Sequence, residues 1–226
     1  MLSRLPPATR ALLIANVLVF LAQHVLFRPF LDVHFALWPW LSQAWVESGA
    51  PGFMPWQLLT YGFLHADLAH LLLNMLALVM FGAQLEHTWG TRRFTTYFLI
   101  CVAGAGLIQF ALASWSVSAG ETPYPTVGAS GGVFGLLLGY GMMFPNQRVM
   151  LLIPPVPMKA RTLVLLFGAI ALLLGFTGLQ PGVAHFAHLG GMVFGWLTIR
   201  YWRRSSRPRP PSQGGGGKAT HLRVVK

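Results

Sequence analysis

Charge is what this sequence has least of. Of its 226 residues only 9% are Asp, Glu, Lys or Arg, against 54% that are hydrophobic. A soluble domain carries roughly a quarter charged residues. The polar surface here is too small to cover a water-soluble globule, and the bilayer is the expected solvent. Acidic residues are the scarcer sign: five Asp and Glu face sixteen Lys and Arg, for a formal net charge of +11. Cysteine occurs once, at Cys101 in the middle of an apolar run. A lone thiol excludes an internal disulfide, and in that setting it reads as an inert apolar packing residue.

Long apolar runs are what the chain has in abundance. About 20 residues of helix cross a bilayer core, and runs of 18 or more mark candidates. Six are expected, at Ala11–Phe27, Leu68–Leu85, Phe94–Trp115, Val127–Phe144, Leu163–Leu179 and Val183–Tyr201. The fold class that follows is all-α and polytopic, with six transmembrane helices in one bundle over residues 1–202. The tail, 203–226, is basic and rich in Pro and Gly, and is expected to be disordered. Arg4 and Arg10 precede the first run as in a signal peptide. No A-x-A-like cleavage site follows, so this run reads as an uncleaved helix.

The basic excess is distributed, and its distribution argues against nucleic acid as a partner. With the N-terminus inside, the inner segments hold Arg4, Arg10, Arg92, Arg93, Arg148, Lys159, Arg161, Arg200 and the tail. The outer segments hold only Arg28, beside Asp32, Glu47, Asp67 and Glu121. That is the positive-inside pattern, and it predicts N-in, C-in topology for an even number of spans. Anionic lipid headgroups are the expected partners of the basic face. A bacterial plasma (inner) membrane is the simplest placement.

The longest connection, from about Arg28 to Asp67, lies on the outer side. It holds Trp38-Pro39-Trp40, Trp45, Phe53, Trp56 and Tyr61. Aromatics at this density belong at the headgroup interface. A short amphipathic helix is expected around Leu37–Ser48. Two readings of the loop stay open: simple interfacial anchoring, and a structural flap beside a lateral opening. Pro145-Asn146 is expected to stop the fourth span, and Pro154-Pro155-Val156-Pro157 to forbid helix before the fifth.

With N-in topology, spans two, four and six all begin at the outer face, and each begins with polar residues. Span two opens with His65, Asp67, His70 and Asn74, span four with Ser130, span six with His185 and His188. Polar residues in a membrane are costly and face the bundle interior or a water-filled cavity. Small residues recur at spacing four, as Gly128/Gly132, Gly131/Gly135/Gly139 and Gly191/Gly195. Such stripes let helix backbones approach closely, which is what a serine–histidine contact of about 2.6–3.2 Å requires. Plain glycine-mediated packing explains Ser130 when it is taken alone, but less well when it is joined with His188.

Asn74 follows His70 by four residues, so both lie on one helical face. Their side chains are candidate donors to a carbonyl oxygen becoming an oxyanion, and the Ser130 backbone N–H near a helix start is another. The bland alternative is that the two bind each other or a neighbouring carbonyl. Four histidines, His65, His70, His185 and His188, raise the question of zinc. Their spacings form no strong signature and no H-E-x-x-H occurs. No metal and no other cofactor is expected.

The chain resembles the rhomboid intramembrane serine proteases. The matching residues are His65 and His70-Leu71-Leu72-Leu73-Asn74-Met75, then Gly128-Ala129-Ser130-Gly131, then Ala187-His188-Leu189-Gly190-Gly191, with Glu86 and Trp89-Gly90 between the first two. The likeness runs from about Ala11 to Tyr201 and leaves the tail outside. It implies a dyad with Ser130 as nucleophile and His188 as general base and then acid. It also implies an oxyanion site of His70, Asn74 and the Ser130 N–H, with His65 as a supporting polar residue and Glu86 as a structural one. The implied substrates are transmembrane segments of other proteins, entering sideways and cut near the outer face.

Two positions depart from the family pattern. Phe134 stands where relatives often have a tyrosine stacking on the catalytic histidine. Trp56-Gln57 or Trp45-Val46 stands where the outer loop often has Trp-Arg. No carboxylate is placed to support the histidine, so slow turnover is expected. The rival reading is a non-proteolytic rhomboid-like protein that binds membrane proteins; loss of the serine or histidine would mark it, and both are present. A small transporter would need polar residues through the full depth, and the inner half has few.

Overall fold

Helices packed in lipid gain nothing from hiding apolar surface from one another, so their association rests on close shape fit and on hydrogen bonds. The computed structural model, which describes residues 4–150, 155–177 and 184–205, shows both devices. Helix α1 (Pro7–Leu21) continues through a π-helical turn, Ala22–Leu26. Three short helices follow in the first loop: α2 (Arg28–Phe35), α3 (Gln43–Glu47) and α4 (Gln57–Thr60). Helices α5 (Leu68–Ala77) and α6 (Ala83–Trp89) form one rod joined by a π-helical turn. The bundle is completed by α7 (Thr91–Ser118), α8 (Ser130–Met143), α9 (Ala160–Thr177) and α10 (His185–Ser205).

Six helical rods among the described residues stand where six were expected, in an all-α polytopic arrangement. Four of them, 7–26, 68–89, 91–118 and 160–177, are long and apolar enough to cross a membrane. Helix α8 has 14 residues, short of the ~20 that span hydrocarbon. It is the central helix: Gly131, Gly132, Val133, Gly135, Leu136, Leu137, Gly139 and Tyr140 are all buried. A helix enclosed by protein has little lipid thickness to match. Non-helical backbone beside it is tolerated at that depth because protein satisfies it.

The ends of the rods differ from expectation in ways that packing explains. The first begins at Pro7, four residues before Ala11, because the Glu86 carboxylate reaches its N-terminus. Glu86 accepts from the N–H groups of Ala8 at 2.9 Å and Thr9 at 2.7 Å, and from the hydroxyls of Thr9 and Thr91, each at 2.8 Å. A carboxylate at a helix start satisfies orphan donors and favours the dipole. The fourth helix begins at Ser130, three residues after Val127. The fifth and sixth expected spans run to Leu179 and from Val183, and those two ends lie outside the described residues, as does nearly all of the 203–226 tail.

Glu86→Ala is expected to destabilise the fold by about 3 kcal/mol, since it strands at least two buried N–H groups. A fall in thermal midpoint in detergent, partly recovered by Glu86→Gln, checks this.

One expectation about the loops is corrected. No helix covers Leu37–Ser48; only Gln43–Glu47 is helical there. Leu37 is instead held extended by a two-way backbone pairing with Thr126, at 3.0 and 2.9 Å, and Pro39 stands two residues on. A two-stranded antiparallel ribbon, β1 (Arg148–Met150) with β2 (Pro157–Lys159), adds a small β element between α8 and α9. Pro157 at a strand start is tolerated because its missing N–H need not join the ladder.

Contacts at both ends of the rods fix their relative directions. Trp89 at the end of α6 meets Trp202 near the end of α10, with ring centroids 5.8 Å apart, and Gly139 of α8 packs on Trp89. His70, Ser130 and His188 lie toward the opposite ends of the same three rods. The co-orientation inferred from topology is therefore present in the bundle.

Candidate active site

The geometry around Ser130 starts from a chain reversal that only glycine makes easily. Gly128 has φ +126°, and its N–H donates to the Tyr61 carbonyl at 2.9 Å. A Cβ at Gly128 would lie 2.6–2.7 Å from the His70 ring, at Cε1 and Nε2. Glycine here serves both the backbone angle and the close approach of the imidazole. After this bend Ser130 is the first residue of α8, with its N–H free of the helix ladder as at any helix start.

Helix α10 brings His188 to the serine through glycine contact. A Cβ at Gly191 would overlap the Gly131 carbonyl of α8, so at that level the two backbones touch. One turn away along α10, His188 Nε2 lies 2.8 Å from Ser130 Oγ. This bond joins side chains 58 residues apart and is partly shielded from solvent. The Phe134 ring stacks on His188, with centroids 4.3 Å apart and planes 5° from parallel. Phenylalanine in place of tyrosine keeps this face. Phe134 in turn meets Phe167 of α9 edge-on at 6.3 Å, and His185 is edge-on to His188 at 5.9 Å.

The remaining expected residues are gathered unequally. His70 is close to the serine-bearing loop through Gly128. Asp67 caps α5, accepting the His70 N–H at 2.8 Å, a role at the helix start rather than beside His188. Asn74 is buried, and its Nδ2 donates to the His70 carbonyl at 3.0 Å. One of its two amide hydrogens is thus taken by its own helix, leaving the other. His65 is fully buried and edge-on to His70 at 5.0 Å. Neither of its ring nitrogens closes a hydrogen bond among the described residues. His65 is thus a buried ring packed against His70.

Two residues were not picked out by sequence. Tyr61 was grouped with interfacial aromatics, yet it is buried. Its hydroxyl donates to the Val102 carbonyl of α7 at 2.9 Å, while its own carbonyl holds Gly128. It links α7 to the serine-bearing loop. The available signal was the following Gly62, whose missing Cβ lets the turn press against Val102. Gln57, noted only as a departure from Trp-Arg, is buried at the centre of the first loop. Its Oε1 accepts from Trp38 N at 3.2 Å and Met54 N at 3.1 Å. Its Nε2 faces the Val33 and His34 carbonyls, both at 3.4 Å. An uncharged amide, with both donors and acceptors, organises that loop here. Trp45-Val46 makes no comparable set.

Among the described residues no group of three or more His, Cys, Asp or Glu is arranged to hold a metal ion. The cluster contains the parts for acyl transfer: a hydroxyl hydrogen-bonded to an imidazole, a ring fixing that imidazole, and polar groups beside a helix start.

Comparison with known proteins matches the region of the chain in which these residues lie. The profile of the rhomboid domain matches residues 52–205, more than half of the chain. RHOMBOID-like protein 4 of Arabidopsis thaliana is 36% identical over 153 residues, covering 67% of this chain and 35% of that protein. Rhomboid-like protease 3 of Toxoplasma gondii is 30% identical over 159 residues, 70% of this chain and 56% of that protein. Rhomboid protease GluP of Bacillus subtilis is 33% identical over 144 residues, 63% of this chain and 25% of that protein. The match thus spans between a quarter and a little over half of these relatives' lengths.

Proposed function

Since the chain belongs to the rhomboid family, whose members are in general intramembrane serine proteases, we propose that it is a serine endopeptidase cutting transmembrane segments of other membrane proteins through a Ser130–His188 dyad. The observation that carries this reading is the 2.8 Å contact between His188 Nε2 and Ser130 Oγ under the Phe134 ring. With Nε2 unprotonated, Oγ donates to it and is poised to lose its proton as it attacks a scissile carbonyl. His188 then gives that proton to the departing amine, leaving an acyl-enzyme at Ser130. Water, deprotonated in turn by His188, releases the acyl group.

The developing oxyanion would be met by the Ser130 N–H, by His70 across Gly128, and by the second amide hydrogen of Asn74. His65 supports His70, and Phe134 keeps the imidazole plane fixed. Asn74→Ala is expected to lower kcat about 100-fold with KM nearly unchanged, because an oxyanion donor acts only in the transition state. Steady-state cleavage of a transmembrane substrate in proteoliposomes measures it, and an unchanged kcat removes Asn74 from the scheme.

The protein is a multi-pass integral membrane protein. In this reading residues 1–202 form the protease domain with both ends inside, 203–226 form a basic cytoplasmic tail, and cleavage falls near the outer face. The bacterial inner-membrane placement draws no support from relatives spread over a plant, a protozoan and a bacterium.

The direct test is labelling of the folded, detergent-solubilised protein with a fluorophosphonate probe, alongside Ser130→Ala. A label on wild type that Ser130→Ala abolishes is the expected result. Folded wild type that neither takes the label nor cleaves a transmembrane substrate would overturn the protease reading and favour that of a membrane-protein binder.

A further inference from the structure

A second feature shares no residue with the serine–histidine pair. An apolar cavity of about 240 Å³ is walled by Val19 of α1, Leu31 and Phe35 of α2, and Thr60, Phe63 and Leu64 where α4 turns toward α5. Thr60 is the one lining residue with a polar side chain, and its hydroxyl is already spent: Oγ1 donates to the Phe35 carbonyl at 2.8 Å and lies 3.2 Å from that of Trp56. Water needs two to four polar partners to hold a site, and this half-open slot with an apolar lining offers almost none, which suits hydrocarbon.

The surroundings say where the hydrocarbon comes from. Leu18, Leu21, Val25, Leu26, Phe27 and Phe30, on the same α1–α2 corner, are large apolar side chains left exposed. In a membrane protein that surface meets lipid tails. Polar groups stand beside the slot. One turn beyond Val19, Gln23 Nε2 donates to Asp32 Oδ1 at 2.7 Å, and Asp32 Oδ2 lies 3.6 Å from Arg28 Nε. Arg28, Leu31 and Phe35 follow at spacings of three and four, which puts them on one face of α2. The Arg28 side chain is 58% exposed and engages Asp32 through one edge, leaving the other guanidinium donors available. An apolar slot with a cation one helical turn before its Leu31 wall matches a phospholipid. Arginine is suited to phosphate because its planar fork pairs with two oxygens at once.

We infer that this corner is a phospholipid site, with one acyl chain seated among Val19, Leu31, Phe35 and Phe63 and the phosphate on Arg28. The lipid would brace α2 against the 57–64 turn, whose Tyr61 carbonyl holds Gly128. The inference rests on the membrane setting and not on the catalytic reading.

The test uses the full chain in nanodiscs containing phosphatidylglycerol with a diazirine near the end of one acyl chain, and cross-linked residues are mapped by peptide mass spectrometry. Cross-links are expected to concentrate on Val19, Leu31, Phe35 and Phe63, at least fivefold above those on the lipid-facing Leu172 and Leu173 of α9. Val19→Phe fills the slot and should remove the excess while leaving the α9 cross-links as they were; Leu31→Phe serves if that variant does not fold. Arg28→Gln should lower retention of phosphatidylglycerol through delipidation several-fold. Cross-links in wild type no denser in the slot than on α9 would overturn the site, and so would displacement of the lipid by a sterol at low mole fraction. Retention unaffected by Arg28→Gln would overturn the headgroup assignment.

Discussion

His188→Ala is expected to reduce kcat toward a transmembrane substrate at least ten-thousand-fold with little change in KM. Nothing else among the described residues is hydrogen-bonded to Ser130 Oγ in a way that accepts its proton, and the His188 contact at 2.8 Å is the side-chain bond that the hydroxyl makes. A serine at its ordinary pKa is a weak nucleophile, so removing the base strips most of the chemical step while substrate contacts stay. Ser130→Ala should be equally damaging, and the double variant no worse than either, because the two residues act as one unit. Phe134→Ala keeps both reacting groups and releases the ring that stacks on the imidazole, so it should fall between wild type and His188→Ala. Folded His188→Ala protein with a tenth of wild-type turnover would end the dyad reading.

Gly191→Ala is expected to be nearly as severe through packing alone. The added Cβ overlaps the Gly131 carbonyl, which is backbone and cannot rotate aside. Overpacking of this kind costs about 1–3 kcal/mol, and relief requires α8 and α10 to separate. Both reacting groups ride on those helices, one at Ser130 and the other a turn from Gly191 at His188. A displacement of about 1 Å at reacting atoms can cost 100-fold in rate. Turnover should therefore drop about 100-fold or more in protein that still folds. A control at Gly168 separates the two effects: its Cβ would sit at ordinary contact distance from Met192, so Gly168→Ala should leave kcat nearly intact. Equal kcat in wild type and Gly191→Ala would show that the glycine contact does not set the dyad distance.

Much of this site was legible in the sequence because intramembrane polar residues are few and expensive. Ser130, His188, His70 and Asn74 stood out against apolar runs, and the glycine stripes marked where backbones touch. Phe134 fell one turn after the serine and does stack on the histidine. Residues whose role is carried by backbone atoms were harder to see. Tyr61 acts through its carbonyl, and no periodicity announces a carbonyl. Gln57 looked like a loss relative to an arginine, whereas its amide is buried among four backbone groups of the loop. The Leu37–Ser48 stretch has the composition of an interfacial helix, but the partner of Leu37 is Thr126, almost ninety positions along the chain.

The sequence by itself determined the solvent, the number and order of the helical rods, and which polar residues occupy one layer. These follow from local terms: apolar run length against bilayer thickness, small residues at helical spacing, and the high cost of polar groups in lipid. The tertiary structure alone decided the distances within that layer, the start of α1 at Pro7 under Glu86, the bend at Gly128 that makes Ser130 a first helical residue, and the apolar slot between α1, α2 and the 60–64 turn. Each of these depends on atoms far apart in the chain meeting to within tenths of an ångström. Such contacts arise only when the helices are packed together, and no local pattern encodes them.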